Sequence, residues 1–352
     1  MKNPEIIKRY QAFWAHEEME RPIIHIYVPD KNAPWAEHEP KNVHDKWENL
    51  EARYASSRFA MENTQYFGEA FKHDWINFGP GALAAMMGSG YTPDWNTVWF
   101  GKEHTFFQDY DNLDELRLLA DAPMYQMVLD ATRLMCDRND GSYIVGISDL
   151  GGNLDILASL RGTLTLLTDL YDHPNEVLRA TEIIDEAWKV YYTKLRGILR
   201  SSGQHGHTAW LGPWCETTYY PLQCDFAAMI SPDDFSRFVM PSLKRISEFL
   251  DHSIFHWDGP GQIVHLDHLL SLPRLDGFQW VAGDGAAPTW DEQWFPLYEK
   301  IQAAGKNLVM HGFSSAEEVM KICKVFSPKG LWITVTLDTE EEARDLLAQV
   351  GG

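Results

Sequence analysis

Short β-rich apolar runs alternate along this chain with longer amphipathic stretches, and that alternation constrains the fold more than any other feature. The runs are Ile23–Val28 (IIHIYV), Asp74–Phe78 (DWINF), Tyr143–Ile147 (YIVGI), His207–Leu211 (HTAWL), Ser253–His256 (SIFH), Gly277–Val281 (GFQWV), Asn307–Met310 (NLVM) and Leu331–Val335 (LWITV). Several are apolar almost throughout, as strands buried on both faces must be. The stretches between them carry helix start signals. Asp172 and Pro174 precede Val177, Ala180, Ile184, Trp188 and Tyr191; Ser231 and Pro232 open another helix; Thr339 with Glu342 forms a capping box. Strand–helix repeats of this kind build a parallel sheet, and eight strands close naturally into a barrel. The expected fold is therefore α/β, a (β/α)8 TIM barrel, with N-terminal helices from Asn3 and Pro4 and a long insertion after the second strand. At 352 residues the chain suits one such domain, residues 1–352. Residues 79–141, together with the loop after Asp30, are expected to cover the active-site face.

The net charge is −21 and no cationic run stands out. Backbone phosphates and anionic lipid surfaces both need clustered cations, so nucleic acid and membrane are not expected partners. The opening MKNPEIIKRYQAFW lacks the apolar run of a cleavable signal, and Cys136, Cys215, Cys224 and Cys323 include no CxxC pair. The expectation is a cytoplasmic protein with free thiols. Neither GxxxxGK[ST] nor a GxGxxG between strand and helix is present, which argues against a nucleotide cofactor.

In a barrel, function gathers where strands end and βα loops begin. FHWDGPG places His256 and Asp258 two residues apart at a strand end, on one face if the strand continues, before a tight Gly-Pro-Gly turn. The pair suits a metal or acid/base catalysis, and it also fits a core histidine beside a turn cap. SDLGGNLD offers Asp149 as a catalytic carboxylate, Asn153 for substrate and Asp155, with helix capping as the plainer role for the acids. WLGPWCE offers Trp214 for stacking and Glu216 for catalysis, with Trp210 read as core. Asp30, Trp280 and His311 complete the expected substrate-binding set.

CDFAAMISPDDFSRFVMPSLKRI, residues 224–246, resembles the uroporphyrinogen decarboxylase-like superfamily in its Asp, its Ser-Pro helix start and its P-x-x-K-x-I ending. SIFHWDG, SSAEEVMKICKVF and LWITVTL are similar to later units of the same superfamily, and the likeness points to the methylcobamide:thiol methyltransferase-related branch. What the resemblance implies is the barrel fold and methyl transfer between a small methylated substrate and a corrinoid protein or other acceptor. The Arg-rich first-strand segment of the decarboxylases is replaced here by IIHIYVPD, so tetrapyrrole decarboxylation is not implied. The branch's zinc site is His-x-Cys plus a later Cys. His256 matches the His, Asp258 stands in the place of the first Cys, and WITVTL has no Cys, so the implied zinc site is one of His256 and carboxylates. Read from the residues alone, strand-end carboxylates beside Trp equally suit a glycoside hydrolase or lyase with a Trp-lined sugar site. A homodimer is compatible with either reading.

Overall fold

The computed structural model describes residues 3–351 apart from 102–105, 107 and 112. The fold is α/β. Its strands are β1 (Ile23–Pro29), β2 (Thr64–Gly68), β3 (His73–Asp74), β4 (Tyr91–Pro93), β5 (Val98–Phe100), β6 (Ile144–Val145), β7 (Tyr219–Gln223), β8 (His252–Asp258), β9 (Gly277–Val281), β10 (Asn307–Phe313) and β11 (Leu331–Thr336). Seven form one sheet in the order β2-β1-β11-β10-β9-β8-β7, parallel throughout except for β2 on the edge. β3 pairs with β6 in a separate parallel pair, and a single parallel bridge joins Ile147 to Ala209. Among the described residues no ladder closes the large sheet on itself.

Local physics explains where the expected strands fall short. Asp74 Oδ1 accepts from the Ile76 N–H at 2.8 Å, and Ile76 takes a φ of 55°, which ends the second strand after two residues. The expected strand His207–Leu211 is replaced by a turn. Gly212 (φ 95°) donates to the Ala209 carbonyl, and the chain folds back so that Cys215 bridges antiparallel to His207. The strand beside β8 is instead β7, which contains Pro221; a proline is tolerated there because β7 is the sheet's edge.

The helix Pro4–Trp14 is capped by Asn3, whose side chain accepts from the Glu5 N–H. It buries Tyr10, Phe13 and Trp14, and Trp14 stacks at 4.7 Å on His252, the first residue of β8. This helix therefore marks the N-terminal end of the strands. The helix Pro174–Ser201 buries a periodic face through Val177, Ile184, Trp188 and Tyr191.

Segment 79–141 is not a plain lid. Its last part is the outer helix Pro123–Asp137, which packs on Pro174–Ser201 and leads into β6. Its start presses on the loop after β6, where a Cβ on Gly151 would stand 2.9 Å from Gly81 Cα. Between them the antiparallel pair β4–β5 forms a hairpin. No described helix is long and apolar enough to cross a membrane.

Candidate active site

Parallel register places Gln223, His256 and Gln279 side by side across β7, β8 and β9. Alternation sends their neighbours Phe255, Trp257, Phe278 and Trp280 to the opposite, helix-covered face. His256 Nδ1 lies 2.5 Å from Gln279 Oε1, an amide oxygen that can only accept. The ring proton is thus on Nδ1 and the lone pair on Nε2. The Trp210 ring meets the His256 ring edge-on at 4.9 Å. Two residues on from His256, β8 ends in Asp258, and beyond the end of β7 Asp225 opens the turn Asp225–Met229. One ligand atom from each of Asp225, His256 and Asp258 lies within 4.8 Å of the other two.

A second rank of carboxylates stands behind this triad. Asp155, on the helix Asn153–Arg161, accepts from the Asp225 N–H at 2.9 Å and the Phe226 N–H at 2.8 Å, fixing the turn that carries Asp225. Burial, reinforced by the charge of Asp225, pushes the Asp155 carboxyl up to about 7. Burial also raises Asp225; His256 opposes the rise and Asp258 adds to it. Asp149 is 5 % exposed, and burial pushes it up to about 7 despite bonds from the Gly151 N–H at 2.9 Å and the Tyr220 hydroxyl at 3.3 Å. Crowded acids that cannot all ionise suit acid/base work or a cation that relieves them.

Two cavities flank the strand ends. One, of about 570 Å³, is lined by Asp258, Gln279, Asp284 and Thr289. The other, of about 340 Å³, is lined by Tyr27, Trp75, Trp210 and Trp332. They meet at His311 and Gly312. His311 Nε2 donates to the Leu211 carbonyl at 2.9 Å, and burial lowers its pKa to about 4, so the ring is neutral. A further cavity of about 380 Å³ opens at the opposite end, beside Phe71, Tyr143 and His205, and none of these carboxylates lines it.

Of the residues singled out from the sequence, His256 and Asp258 come together and His311 lies between the two cavities. Asp149 is buried behind the triad. Asn153 works as a clasp: its Nδ2 donates to the Gln223 carbonyl at 2.9 Å, tying its helix to the end of β7. Trp214 and Glu216 require correction. The reversal at Gly212 returns them to the N-terminal end, where the Trp14 indole donates to the Trp214 carbonyl and Gln11 and His205 hold the Glu216 carboxylate. Trp280 borders the larger cavity, but its ring is 2 % exposed and packed against Trp257 and Trp294 on the helix side. Asp30 caps its own turn by accepting from the Asn32 N–H. No described residue of 79–141 lines either mouth cavity. The four cysteines are unpaired, and burial pushes the Cys215 thiol up to about 12, far from a thiolate at neutral pH.

Sequence reading missed Asp225, Gln279 and Trp75. Asp225 lies inside the motif quoted above, and only the pairing of β7 with β8 brings it to His256 and Asp258. Gln279 sits in an expected strand, and only its register with His256 gives it a role.

No protein-family model matches the chain, and no curated protein is similar to it. Among solved structures, a methyltransferase from Methanosarcina mazei superposes with a TM-score of 0.61 at 12 % identity, covering 98 % of both chains. A likeness at that identity speaks for the fold.

Proposed function

We propose that this chain is a (β/α)8-barrel enzyme that transfers a methyl group from a small methylated substrate to an acceptor such as a corrinoid held by a partner protein, with a zinc ion bound by Asp225, His256 and Asp258. Support for the barrel comes from the unbroken order β1-β11-β10-β9-β8-β7 and from β3, β6 and Ala209, which pair among themselves in chain order. The observation that carries the reaction class is the convergence of Asp225, His256 and Asp258 at two adjacent strand ends. Full-length likeness to a methyltransferase is in keeping with it.

The residues fit a divalent cation. One imidazole and two carboxylates offer zinc three nitrogen and oxygen donors and leave a fourth position open for chemistry. Gln279 presents His256 Nε2 in the neutral tautomer a metal requires. Burial raises the carboxyls of Asp155 and Asp225, and the neighbouring Asp225 and Asp258 charges add to the rise, a part that a cation would offset. A zinc ion held there would supply a Lewis acid for a lone-pair heteroatom of the substrate or the acceptor. The protein's own part is orientation. Asp155 fixes the Asp225 backbone, Gln279 fixes the His256 ring, and Trp210 shields that ring's edge from water. The glycoside reading finds less support, since Trp214 and Trp280, the rings expected to stack a sugar, are buried elsewhere.

The test is Asp258→Asn, which preserves shape and removes charge. Turnover on a verified methyl donor should fall by about a hundredfold or more, and bound zinc should fall with it, while the fold persists. Full turnover in this variant would remove the triad from the mechanism.

A further inference from the structure

The smaller mouth cavity has a lining that selects by charge. Tyr27, Trp75 and Trp210, each partly exposed, line a cavity of about 340 Å³, with Trp332 and Phe313 buried behind its wall. Neither mouth cavity is lined by a Lys or Arg among the described residues. The histidines do not make up that deficit. His311 and His73 are both held neutral by burial. The charged groups that line the adjoining cavity are Asp258 and Asp284. In the metal-free protein an anionic ligand entering here would lose its hydration and meet no cationic side chain. A cation would meet ring faces and a negative field, the arrangement by which proteins recognise quaternary ammonium groups.

We propose that the cavity lined by Tyr27, Trp75 and Trp210 binds a small N-methylated cation, a quaternary or tertiary methylammonium compound, with its positive nitrogen among these rings and its remainder toward Asp258. The proposal rests on the reading above only in taking this mouth as the substrate site. It narrows the methylated substrate to one charge class. The volume suits a molecule of a few carbons around the nitrogen and is too small for a tetrapyrrole.

Calorimetric titration of metal-free protein with three isosteres tests this. Choline carries the charge, 3,3-dimethylbutan-1-ol has the same shape without it, and 3,3-dimethylbutanoate carries the opposite charge. Choline should bind at least about tenfold tighter than the alcohol, and the carboxylate should bind least. Trp75→Leu should weaken choline by about 2- to 30-fold, the range a single cation–π contact spans, with the alcohol little changed. Equal affinity for choline and the alcohol, a preference for the carboxylate, or no binding of choline in the millimolar range would each overturn the proposal. The measurement needs neither zinc nor turnover. A protein that binds choline but not zinc keeps this inference and loses the metal reading; one that binds zinc and ignores charge does the reverse.

Discussion

Replacing Gln279 by leucine isolates the one interaction that orients His256. The amide oxygen stands 2.5 Å from Nδ1, and Gln279 is 5 % exposed, so no bulk water replaces it when it is removed. Two effects follow. The Nδ1–H loses its acceptor in a half-buried place, which costs about 1–3 kcal/mol for an unmet buried donor. The ring also loses its tautomer restraint, so Nε2 no longer carries the lone pair all the time, and it is freer to tilt against Trp210. Groups that hold a metal-ligating histidine in this way are worth about 10- to 100-fold in metal affinity, or about 1.4–2.7 kcal/mol. Gln279→Leu should therefore weaken zinc binding by that factor, read by competition against a fluorescent chelator. Thermal melts of the metal-free protein should move by only a few degrees, because leucine nearly conserves the volume. Gln279→Glu keeps an oxygen in place and should keep the affinity or raise it. Unchanged zinc affinity in a folded Gln279→Leu protein would mean that His256 does not ligate through Nε2. An equal loss in the Glu variant would mean that packing, not the hydrogen bond, was the cause. If the leucine variant fails to fold, Gln279→Asn, one methylene too short to reach Nδ1, poses the same question.

Burial holds the Asp149 carboxyl up at about 7 in the folded protein, against an ordinary value near 4, so the folded state binds the extra proton between those limits. Its contribution to stability is therefore greatest below about pH 4 and is lost as pH rises to 7, by at most about 1.4 kcal/mol per pH unit; Asp149→Asn should gain stability over the parent at pH 8 and little at pH 4, measured by urea denaturation, and a constant difference at both pH values would refute the assignment. Glu216→Gln lies at the N-terminal end against Gln11 and His205 and should leave turnover and zinc content unchanged, with a hundredfold loss of turnover placing the site at the wrong end of the strands.

What was legible in the sequence was whatever periodicity alone decides. β9, β10 and β11 lie where their apolar runs are, because each is a central strand paired on both sides and needs nothing but β-branched and aromatic residues to form. The runs at 74–78 and 207–211 are of the same apolar kind, yet they give one residue of strand and none. Their outcome is decided by an Asp74 side chain bonding its own backbone two residues on, and by Gly212 reversing the chain. Those are local choices that an apolar pattern does not encode. β7 shows the opposite error. YYPLQ reads as broken at Pro221, and it is a strand because an edge position spares the proline the hydrogen bond it cannot make.

The site follows the same division. His256 and Asp258 were readable because they share one strand, and a period of two puts them on one face whatever surrounds them. Their partners belong to other strands, so finding them needs register. Asp225 joins Asp258 because Gln223 is paired with His256, and Gln279 reaches His256 because those two residues are paired as well. Alternation then removes a tempting residue: Trp280 is adjacent to Gln279 in sequence and so faces the helices. An acidic cluster assembled from β7, β8 and the helix Asn153–Arg161 is costly to hold together. Asp155 and Asp149 meet that cost by staying partly protonated at neutral pH.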